Sequence, residues 1–422
     1  MIKNVSSQLK ETQYIEVLDN GLTVVVVTKP GFRSNTAVLG THYGAINLSQ
    51  KVGEQMINYN AGIAHFLEHK LFEHEQEDIL SVFTNLGASA NAFTSYNETV
   101  YYFSNIDDIS VPLNLLLDFV QLLSITDESV EKEKGFIIEE IKMYQQQPGF
   151  QLSMETLKSL YSIHPLNNDI AGTVESVTNI TKDELELAYQ TNYHPSQLVL
   201  SIVTHHPVED VMSLVKANQA SKQFVNLDKV ENVLIDEPKS VNRPYYELEM
   251  NVKTPKISLA FKQDLKFNNY LEMLKARIAM RFLLEMTFTN LNPRYQQWLD
   301  DKVINDYFNF QNHYGLDFAY LQFVSEGNQL DAFVDFVTDE LSNLKINEKV
   351  LKQLSRRMLG EAILDLQDFE SLAIDGMRSQ FMDVNLFDVI SLAHDITVED
   401  LVLAKNSINL DEKAVILLKN FS

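Results

Sequence analysis

The segment GIAHFLEHKLFE, residues 62–73, decides how this sequence is interpreted. His65 and His69 are four residues apart, so on a helix both imidazoles point from one face. Two such nitrogens can bind one Zn²⁺ at about 2.0–2.1 Å. Glu68 lies on the same helix and can contact a water molecule whose pKa zinc lowers to about 7. The motif therefore predicts a hydrolytic zinc site with Glu68 as its general base.

A catalytic zinc site needs a third protein ligand, and the helix predicted at residues 127–146 offers one. Glu133 and Glu140 are separated by nearly two helical turns and share one face, whereas Glu139 is rotated from Glu140 by about 100°. We therefore expect Glu140 to bind the metal and Glu133 to lie in the same carboxylate row. The order His-x-x-Glu-His also arises by chance, but the apolar residues around this motif favour a buried site.

Composition excludes several other kinds of site. The 422 residues contain no cysteine, which rules out disulfides, thiolate zinc sites, iron–sulfur clusters and cysteine nucleophiles. A formal net charge of −24 argues against binding to nucleic acid or to an anionic membrane. No apolar run is long enough for a membrane span, and the first residues do not resemble a secretory signal. We therefore expect a globular protein of the cytoplasm.

Two distant stretches carry the same pattern at one common offset. Residues 179–185 and 395–401 each contain a Thr-x-x-acid helix cap, followed by a helix and by an apolar strand at 197–203 or 413–419. This indicates a duplicated domain. We expect one domain at residues 1–225, a Pro-containing linker at 226–244 and a second domain at 245–422. Each domain should combine helices with sheets of mixed direction.

Turn residues predict a β-hairpin near the start of the chain. Asp19-Asn20-Gly21 separates two apolar runs, at residues 14–18 and 22–27. Asn-Gly is typical of a tight turn in which both residues have positive φ angles. A second hairpin is expected at residues 89–104, which are rich in aromatic and β-branched side chains.

Together these features resemble the insulinase–pitrilysin–mitochondrial processing peptidase family, and within it a short bacterial-type catalytic subunit. The resemblance rests on GIAHFLEHKLFE, LGASANAFTSYNETVYYFS, VEKEKGFIIEEIKMYQQQP and HPLNNDIAGTVESVTNITKDEL. The motifs match over most of the first half of the chain, whereas the second half matches only in its general pattern. It implies an α+β fold of two homologous domains, each a mixed, largely antiparallel sheet packed against helices.

The resemblance also implies roles for single residues. In that family two His and a downstream Glu bind zinc, while the Glu within the motif is the base. Here these are His65, His69, Glu140 and Glu68, with one Zn²⁺ per chain. An auxiliary catalytic Glu, seven residues before the ligand, falls on Glu133.

The resemblance implies a substrate-binding edge at Asn91 and Ala92. In the family this hairpin edge pairs with the peptide backbone as an added strand. The small side chains of this stretch leave room beside it, although a plain edge strand is the alternative interpretation.

The second half departs from the family pattern. Family members supply an Arg and a Tyr, seven residues apart, that bind the substrate carbonyl. Tyr307 matches the Tyr, but Asp300 stands in place of the Arg and cannot donate a hydrogen bond to an oxyanion. His205 and His206 also differ from the family, which more often has glycine after that strand.

We therefore expect a zinc-dependent endopeptidase that cleaves peptides or small unfolded polypeptides in an enclosed chamber. The missing Arg favours a heterodimer with a homologous partner that supplies an Arg–Tyr pair. A homodimer is less favoured because it would bring Asp300 to the zinc site. The alternative is a non-catalytic subunit that binds peptides or acts as a scaffold.

Overall fold

The computed structural model describes residues 1–6, 9–74 and 77–421. The strands are β1 (Ile2–Ser6), β2 (Glu11–Val17), β3 (Thr23–Thr28), β4 (Ser34–Thr41), β5 (Ser49–Val52), β6 (Gln55–Asn58), β7 (Glu73–His74), β8 (Glu77–Asp78), β9 (Ser89–Thr94), β10 (Thr99–Ile106), β11 (Leu198–Thr204), β12 (Val230–Asn232), β13 (Tyr245–Glu249), β14 (Lys256–Lys262), β15 (Asn309–Tyr314), β16 (Ala319–Glu326) and β17 (Lys413–Lys419).

The helices are α1 (Ile63–Phe72), α2 (Ile79–Asn85), α3 (Ser110–Val120), α4 (Asp127–Gln145), α5 (Pro148–Leu160), α6 (Val174–Asn179), α7 (Lys182–Asn192), α8 (Val208–Ala220), α9 (Tyr270–Phe288), α10 (Tyr295–Asp300), α11 (Leu330–Ser342), α12 (Glu348–Asp365), α13 (Phe369–Phe381), α14 (Leu386–Ser391) and α15 (Val398–Asn406). Across the described ranges, no helix combines the length and the apolar character that crossing a bilayer requires.

The first compact unit combines Met1–Ile141, Asn168–Val233 and Ile363–Phe387. Its main sheet has seven strands in the order β1-β2-β3-β11-β4-β10-β9. β11 runs parallel to β3, and the other neighbouring pairs in this sheet are antiparallel. A three-stranded sheet, β12-β5-β6, belongs to the same unit.

The second compact unit combines Lys142–Asn167, Leu234–Ala362 and Asp388–Ser422. Its five-stranded sheet has the order β13-β17-β14-β16-β15, with β13 parallel to β17 and the other pairs antiparallel. This is the order and direction of β3-β11-β4-β10-β9 in the first unit. The predicted duplication and α+β fold are therefore confirmed.

The repeated helix caps occur as the sequence predicts. Thr181 begins α7 and accepts a hydrogen bond from the backbone N–H of Glu184, and Thr397 does the same for α15 with Asp400. The boundaries placed at residues 225 and 245 stay a prediction, because each compact unit joins segments that are far apart in the sequence.

The hairpin between β2 and β3 has a different turn from the one predicted. Gly21 has a φ of +92°, but Asn20 is not among the residues with positive φ. The Gly21 N–H donates to the Leu18 carbonyl at 2.8 Å, and the Leu18 N–H to the Leu22 carbonyl at 2.9 Å. The loop therefore has three residues and needs positive φ only at its last position, which glycine supplies.

The core of the first unit lies on one face of its main sheet, where helices cover alternate strand residues. Helix α1 lies within this core, and burial of each large apolar side chain contributes about 1.5–3 kcal/mol to holding it there. Its buried apolar residues are Ile63, Ala64, Phe66, Leu67 and Leu71.

Helix α13 packs closely on the opposite face of the same sheet. A Cβ on Gly376 would lie 2.6 Å from the Ser201 hydroxyl oxygen, so a larger residue here would require that hydroxyl to move. The Arg378 guanidinium donates through Nε and Nη2 to Glu98 Oε1, at 2.8 and 2.6 Å. Since Glu98 lies in the turn between β9 and β10, this ion pair links α13 to that hairpin.

Candidate metal centre and active site

Two glycines fix where α1 begins. Gly62 has a φ of +93° and Gly172 one of +82°. A Cβ on Gly62 would lie 2.4 Å from the Ala171 carbonyl oxygen, and a Cβ on Gly172 2.4 Å from that of Ala61. The two backbones can approach this closely only without side chains, and this contact sets the position of the helix that follows.

Three side chains converge on one point beside α1. The ligand atoms of His65, His69 and Glu140 all lie within 4.8 Å of one another. Glu140 Oε2 is 3.9 Å from His65 Nε2 and 3.5 Å from His69 Nε2. The imidazole rings of the two His are 4.5 Å apart between centroids. Among the described residues, this is the one group of three or more His, Asp or Glu that meets such a limit.

The chemistry of these residues fits zinc. His69 Nδ1 lies 2.9 Å from Glu133 Oε1, so Nδ1–H donates to the carboxylate and Nε2 keeps a lone pair for a metal. Burial and the neighbouring His69 lower the pKa of His65 to about 3, which keeps its imidazole neutral and able to bind a cation. Two imidazoles and one carboxylate form the donor set that catalytic zinc sites use, with a fourth position left for water.

A buried lysine lies behind this group. The Lys70 side chain is fully buried, its Nζ donates to the Ser129 carbonyl at 3.3 Å, and it lies 4.0 Å from Glu133 Oε2. Burial acts to raise the pKa of Glu133, but its hydrogen bond with His69 and the charge of Lys70 lower it overall. Glu133 therefore stays ionised and able to orient His69. Sequence reasoning missed Lys70, although a lysine within this apolar motif was a usable signal.

Glu68 lies beside the metal centre and is held from the other side by a strand. The Thr94 hydroxyl, at the end of β9, donates to Glu68 Oε2 at 2.6 Å. Burial is the largest influence on Glu68 and raises its pKa. The carboxyl is therefore easier to protonate than an exposed one, as a general base that later returns its proton should be. Thr94 was also missed, because its contact depends on the placement of the hairpin against α1.

The two adjacent glutamates of α4 differ as the helical geometry predicts. Glu140 is half-buried and faces the two imidazoles, whereas Glu139 is exposed on another side of the helix. The structure thus brings together His65, Glu68, His69, Glu133 and Glu140. Their catalytic and ligand roles stay a prediction.

Two family descriptions match this chain. Insulinase (Peptidase family M16) matches residues 45–174, and Peptidase M16 inactive domain matches residues 179–356. The uncharacterized zinc protease YmfH of Bacillus subtilis is 38% identical over 407 residues, which cover 95% of each chain. The chain belongs to the M16 peptidase family.

The chain is also similar to other proteins and solved structures. The mitochondrial-processing peptidase subunit beta of Lentinula edodes is 31% identical over 229 residues, covering 52% of this chain and 46% of that one. An M16-like peptidase of Alicyclobacillus acidocaldarius is 29% identical, with a TM-score of 0.93 over 99% of this chain and 100% of that chain. A Helicobacter pylori protease, 19% identical, shares the fold with a TM-score of 0.82 over 96% of this chain and 99% of that chain. The family predicted from the sequence motifs is confirmed.

In this M16 chain, Asn91 and Ala92 lie on β9, the last strand of the main sheet of the first unit. They pair with Tyr102 and Tyr101 of β10 on one side. The other side of β9 has no neighbouring strand among the described residues. Asn91 Oδ1 accepts a hydrogen bond from the Ala92 N–H at 2.9 Å. The geometry leaves room for an added strand, and peptide binding there stays a prediction.

Tyr307 and Asp300 belong to the second unit. Asp300 is the last residue of α10 and accepts a hydrogen bond from Gln296 Nε2 at 3.0 Å. Tyr307 lies in a turn before β15, where its N–H donates to Asn305 Oδ1 at 3.0 Å. Lys256 Nζ lies 3.9 Å from the centre of the Tyr307 ring, a cation that the sequence did not indicate.

His205 and His206, which differ from the family pattern, lie against a turn. His206 Nε2–H donates to the Asp107 carbonyl at 2.7 Å, and the His206 N–H donates to Thr204 Oγ1 at 3.1 Å. The His205 and His206 rings lie 4.1 Å apart between centroids. Asp107 has a φ of +67°, so this hydrogen bond holds a turn that an L-residue rarely adopts.

Proposed function

We propose that this chain is a zinc-dependent endopeptidase whose single Zn²⁺ is held by His65, His69 and Glu140. The convergence of these three side chains next to the carboxylate of Glu68, on a helix enclosed by an apolar core, carries the proposal. Membership of a family whose relatives are named zinc proteases supports it. No other donor set of this kind occurs among the described residues.

Glu68 and Glu133 have different roles in the proposed reaction. When bound, Zn²⁺ would act as a Lewis acid that lowers the pKa of a water molecule to about 7. Glu68 accepts a proton from this water as the water oxygen attacks the carbonyl carbon of the scissile peptide bond. Glu68 then gives the proton to the leaving amine nitrogen. Glu133 assists by accepting a hydrogen bond from His69 Nδ1, which holds that imidazole in the tautomer that can bind zinc.

The substrates in this proposal are peptides or small unfolded polypeptides, cleaved within an enclosed chamber. An extended backbone can add to the outer edge of β9 at Asn91 and Ala92 through main-chain hydrogen bonds, which do not depend on sequence. A folded protein cannot present such a strand without unfolding locally. The short side chains of this edge favour peptides over bulky folded surfaces.

The active form in this proposal is a heterodimer in the cytoplasm. Asp300 stands where family members have the Arg that binds the substrate carbonyl, and Tyr307 alone would remain of that pair. A homologous partner with both residues would restore it. The Lentinula edodes relative is itself named as a subunit, which supports the expectation that such chains act in pairs.

A non-catalytic subunit that binds peptides is the second candidate. It is favoured by the match of residues 179–356 to the description Peptidase M16 inactive domain, and by Asp300. The complete set of His65, Glu68, His69 and Glu140 in the other half favours the enzyme, because a scaffold has no use for a buried general base.

The two candidates are separated by Glu68→Gln, which keeps the side-chain shape and removes the proton acceptor. Zinc content should stay at one per chain, while cleavage of a quenched fluorescent peptide falls about 100-fold or more. The assay is run on the purified chain alone and together with a homologous chain that carries the Arg–Tyr pair. Cleavage that survives the substitution unchanged would remove Glu68 from the mechanism. Zinc binding without any cleavage in both assays would favour the scaffold.

A further inference from the structure

Strand β9 contacts the proposed base and is also the last strand of its sheet. Its last residue, Thr94, donates its hydroxyl proton to Glu68 Oε2 at 2.6 Å. Ala92, two residues earlier on the same strand, lies on the edge proposed to bind peptide. One short element therefore reaches both the substrate edge and the carboxylate.

The direction of this hydrogen bond follows from the neighbouring threonine. Thr99 Oγ1 lies 3.5 Å from Thr94 Oγ1, but its own hydroxyl donates to the Tyr43 carbonyl at 2.9 Å. Thr99 therefore has no proton to give to Thr94. A carboxylate accepts hydrogen bonds and an ionised one cannot donate, so the Thr94 proton points at Glu68. A donor bonded to a charged acceptor forms one of the stronger hydrogen bonds in proteins.

We propose that Thr94 is a positioning residue that holds Glu68 in the orientation needed for proton transfer and couples it to the peptide-binding edge of β9. This inference rests on the proposed peptidase function. The hydroxyl holds one carboxylate oxygen and so restrains rotation of the carboxyl group about its terminal bond. A peptide that pairs with β9 is then held at a fixed position relative to Glu68, because the peptide and the Glu68 carboxylate both bind to the same strand.

The size of the effect follows from what the hydrogen bond restrains. Without it, Glu68 stays on α1 next to the metal centre but spends less time in the productive orientation. Proton transfer depends on that orientation, whereas backbone pairing of the peptide does not. Loss of a hydrogen bond to a charged group should therefore lower kcat about tenfold and change KM less than about twofold.

The test uses a pair of substitutions with opposite expected results. Thr94→Val keeps the β-branched shape that suits the end of a strand and removes only the hydroxyl, so it should show the full loss of kcat with zinc retained. Thr94→Ser keeps the hydroxyl and should restore kcat to within about threefold of the unsubstituted protein. Thr84→Val is the control, because the Thr84 hydroxyl donates to the Leu80 carbonyl of its own helix. Measurements use the chain alone or, if that is inactive, its complex with the homologous partner.

A binding measurement supplies a readout that does not depend on turnover. A peptide hydroxamate can bind a metal and also place its N–H or O–H against a carboxylate beside that metal, whereas the matching peptide carboxamide can only pair along the strand. Thr94→Val should weaken hydroxamate binding to the zinc-loaded protein about tenfold and leave carboxamide binding unchanged. A structural defect of β9 would weaken both ligands.

Several results would overturn the proposal. One is an unchanged kcat in Thr94→Val, and another is a Thr94→Ser protein as slow as Thr94→Val. Equal loss of hydroxamate and carboxamide binding would show that Thr94 only shapes the strand. In all three cases the peptidase function stands if Glu68→Gln abolishes cleavage. If the unsubstituted protein neither cleaves peptide nor binds the hydroxamate through zinc, the proposed function is wrong, and the role inferred for Thr94 is then wrong as well.

Discussion

At the scale of single residues, the zinc proposal depends on which of two adjacent glutamates reaches the imidazoles. Glu140→Gln should lower zinc affinity more than about 100-fold, because it removes a charged ligand. His65→Ala and His69→Ala should lower zinc affinity to a similar extent, because each removes an imidazole ligand. Glu139→Gln is the matched control and should bind zinc as the unsubstituted chain does. Metal content after dialysis against a chelator measures this. Near-stoichiometric zinc retained in either His variant would contradict the site.

The residues of this site were predictable to different degrees. His65, Glu68 and His69 follow from spacing along one helix, and Glu140 follows from a seven-residue repeat on another. The helical period alone decides which of these side chains share a face of their own helix. Thr94 and Lys70 could not be assigned in this way. Their partners come from other elements, and the contacts exist only when β9 and α4 are packed against α1.

At the scale of elements, the hairpin that carries Asn91, Ala92 and Thr94 is fastened by α13. Arg378→Met would leave the Glu98 carboxylate buried without its cation, so we expect the free energy of unfolding to fall by about 2 kcal/mol. Chemical denaturation measures the change. Arg33→Met removes an exposed pair with Asp107 and is the control, for which little change is expected. Equal stability of the two variants would show that α13 does not depend on this salt bridge.

Another element contact should make stability depend on pH. The Glu237 carboxylate accepts hydrogen bonds from the backbone N–H groups of Ser162, Ile163 and His164, at 2.7, 2.9 and 2.7 Å, and from Lys262 at 3.0 Å. Burial alone would raise the pKa of Glu237, but these donors together lower it from 4.5 to about 2. A depressed pKa in the folded state means stabilisation above pH 4.5 that is lost as the pH falls towards 2.

Glu237→Gln tests this linkage. The variant should be less stable than the unsubstituted chain at pH 7, and the difference in melting temperature should shrink as the pH is lowered from about 5 to 3. Asp236→Asn is the control, since its carboxylate pairs with Lys266 on the exposed surface. A difference in melting temperature that stays constant across this range would show that Glu237 acts through its shape and not its charge.

The elements themselves were largely predictable, and their turns were not. The hairpins, α1 and the two capped helices follow from hydrophobic periodicity and cap residues. The turn at Asn20 was assigned two positive φ angles because Asn-Gly is typical of two-residue turns. The loop has three residues instead, since Leu18 and Leu22 pair across it. A sequence pattern does not show which residues pair, and the loop length decides the turn type.

At the scale of the whole molecule, the duplication was predictable and the division into compact units was not. Helix α5 follows α4 directly in the sequence, yet it belongs to the second unit, and α13 belongs to the first. Their amphipathic patterns show that one face of each is buried, but a pattern does not say which sheet covers it. Only the folded chain supplies that information.

Assembly also belongs to this scale, and the proposed heterodimer rests on Asp300. A second copy of this chain would offer its own Asp300 to a peptide carbonyl, where negative charge develops during hydrolysis. This would oppose the reaction. The chain alone should therefore cleave peptide weakly, and a homologous chain with the Arg–Tyr pair should raise cleavage by at least about tenfold. Full activity of the purified single chain, unchanged by that partner, would contradict the heterodimer.

Asp300→Arg tests the same argument within one chain. It replaces the unfavourable carboxylate with a donor, seven residues before Tyr307, and should raise cleavage by the chain alone several-fold if copies of this chain pair with one another. Asp301→Arg is the control, because it makes the same change of charge one residue along the helix end, where the spacing to Tyr307 is wrong. A general effect of charge on peptide binding by this acidic protein would raise both variants equally. A specific effect on the reacting carbonyl would raise only Asp300→Arg, and it would appear in kcat more than in KM because the charge it stabilises develops in the transition state.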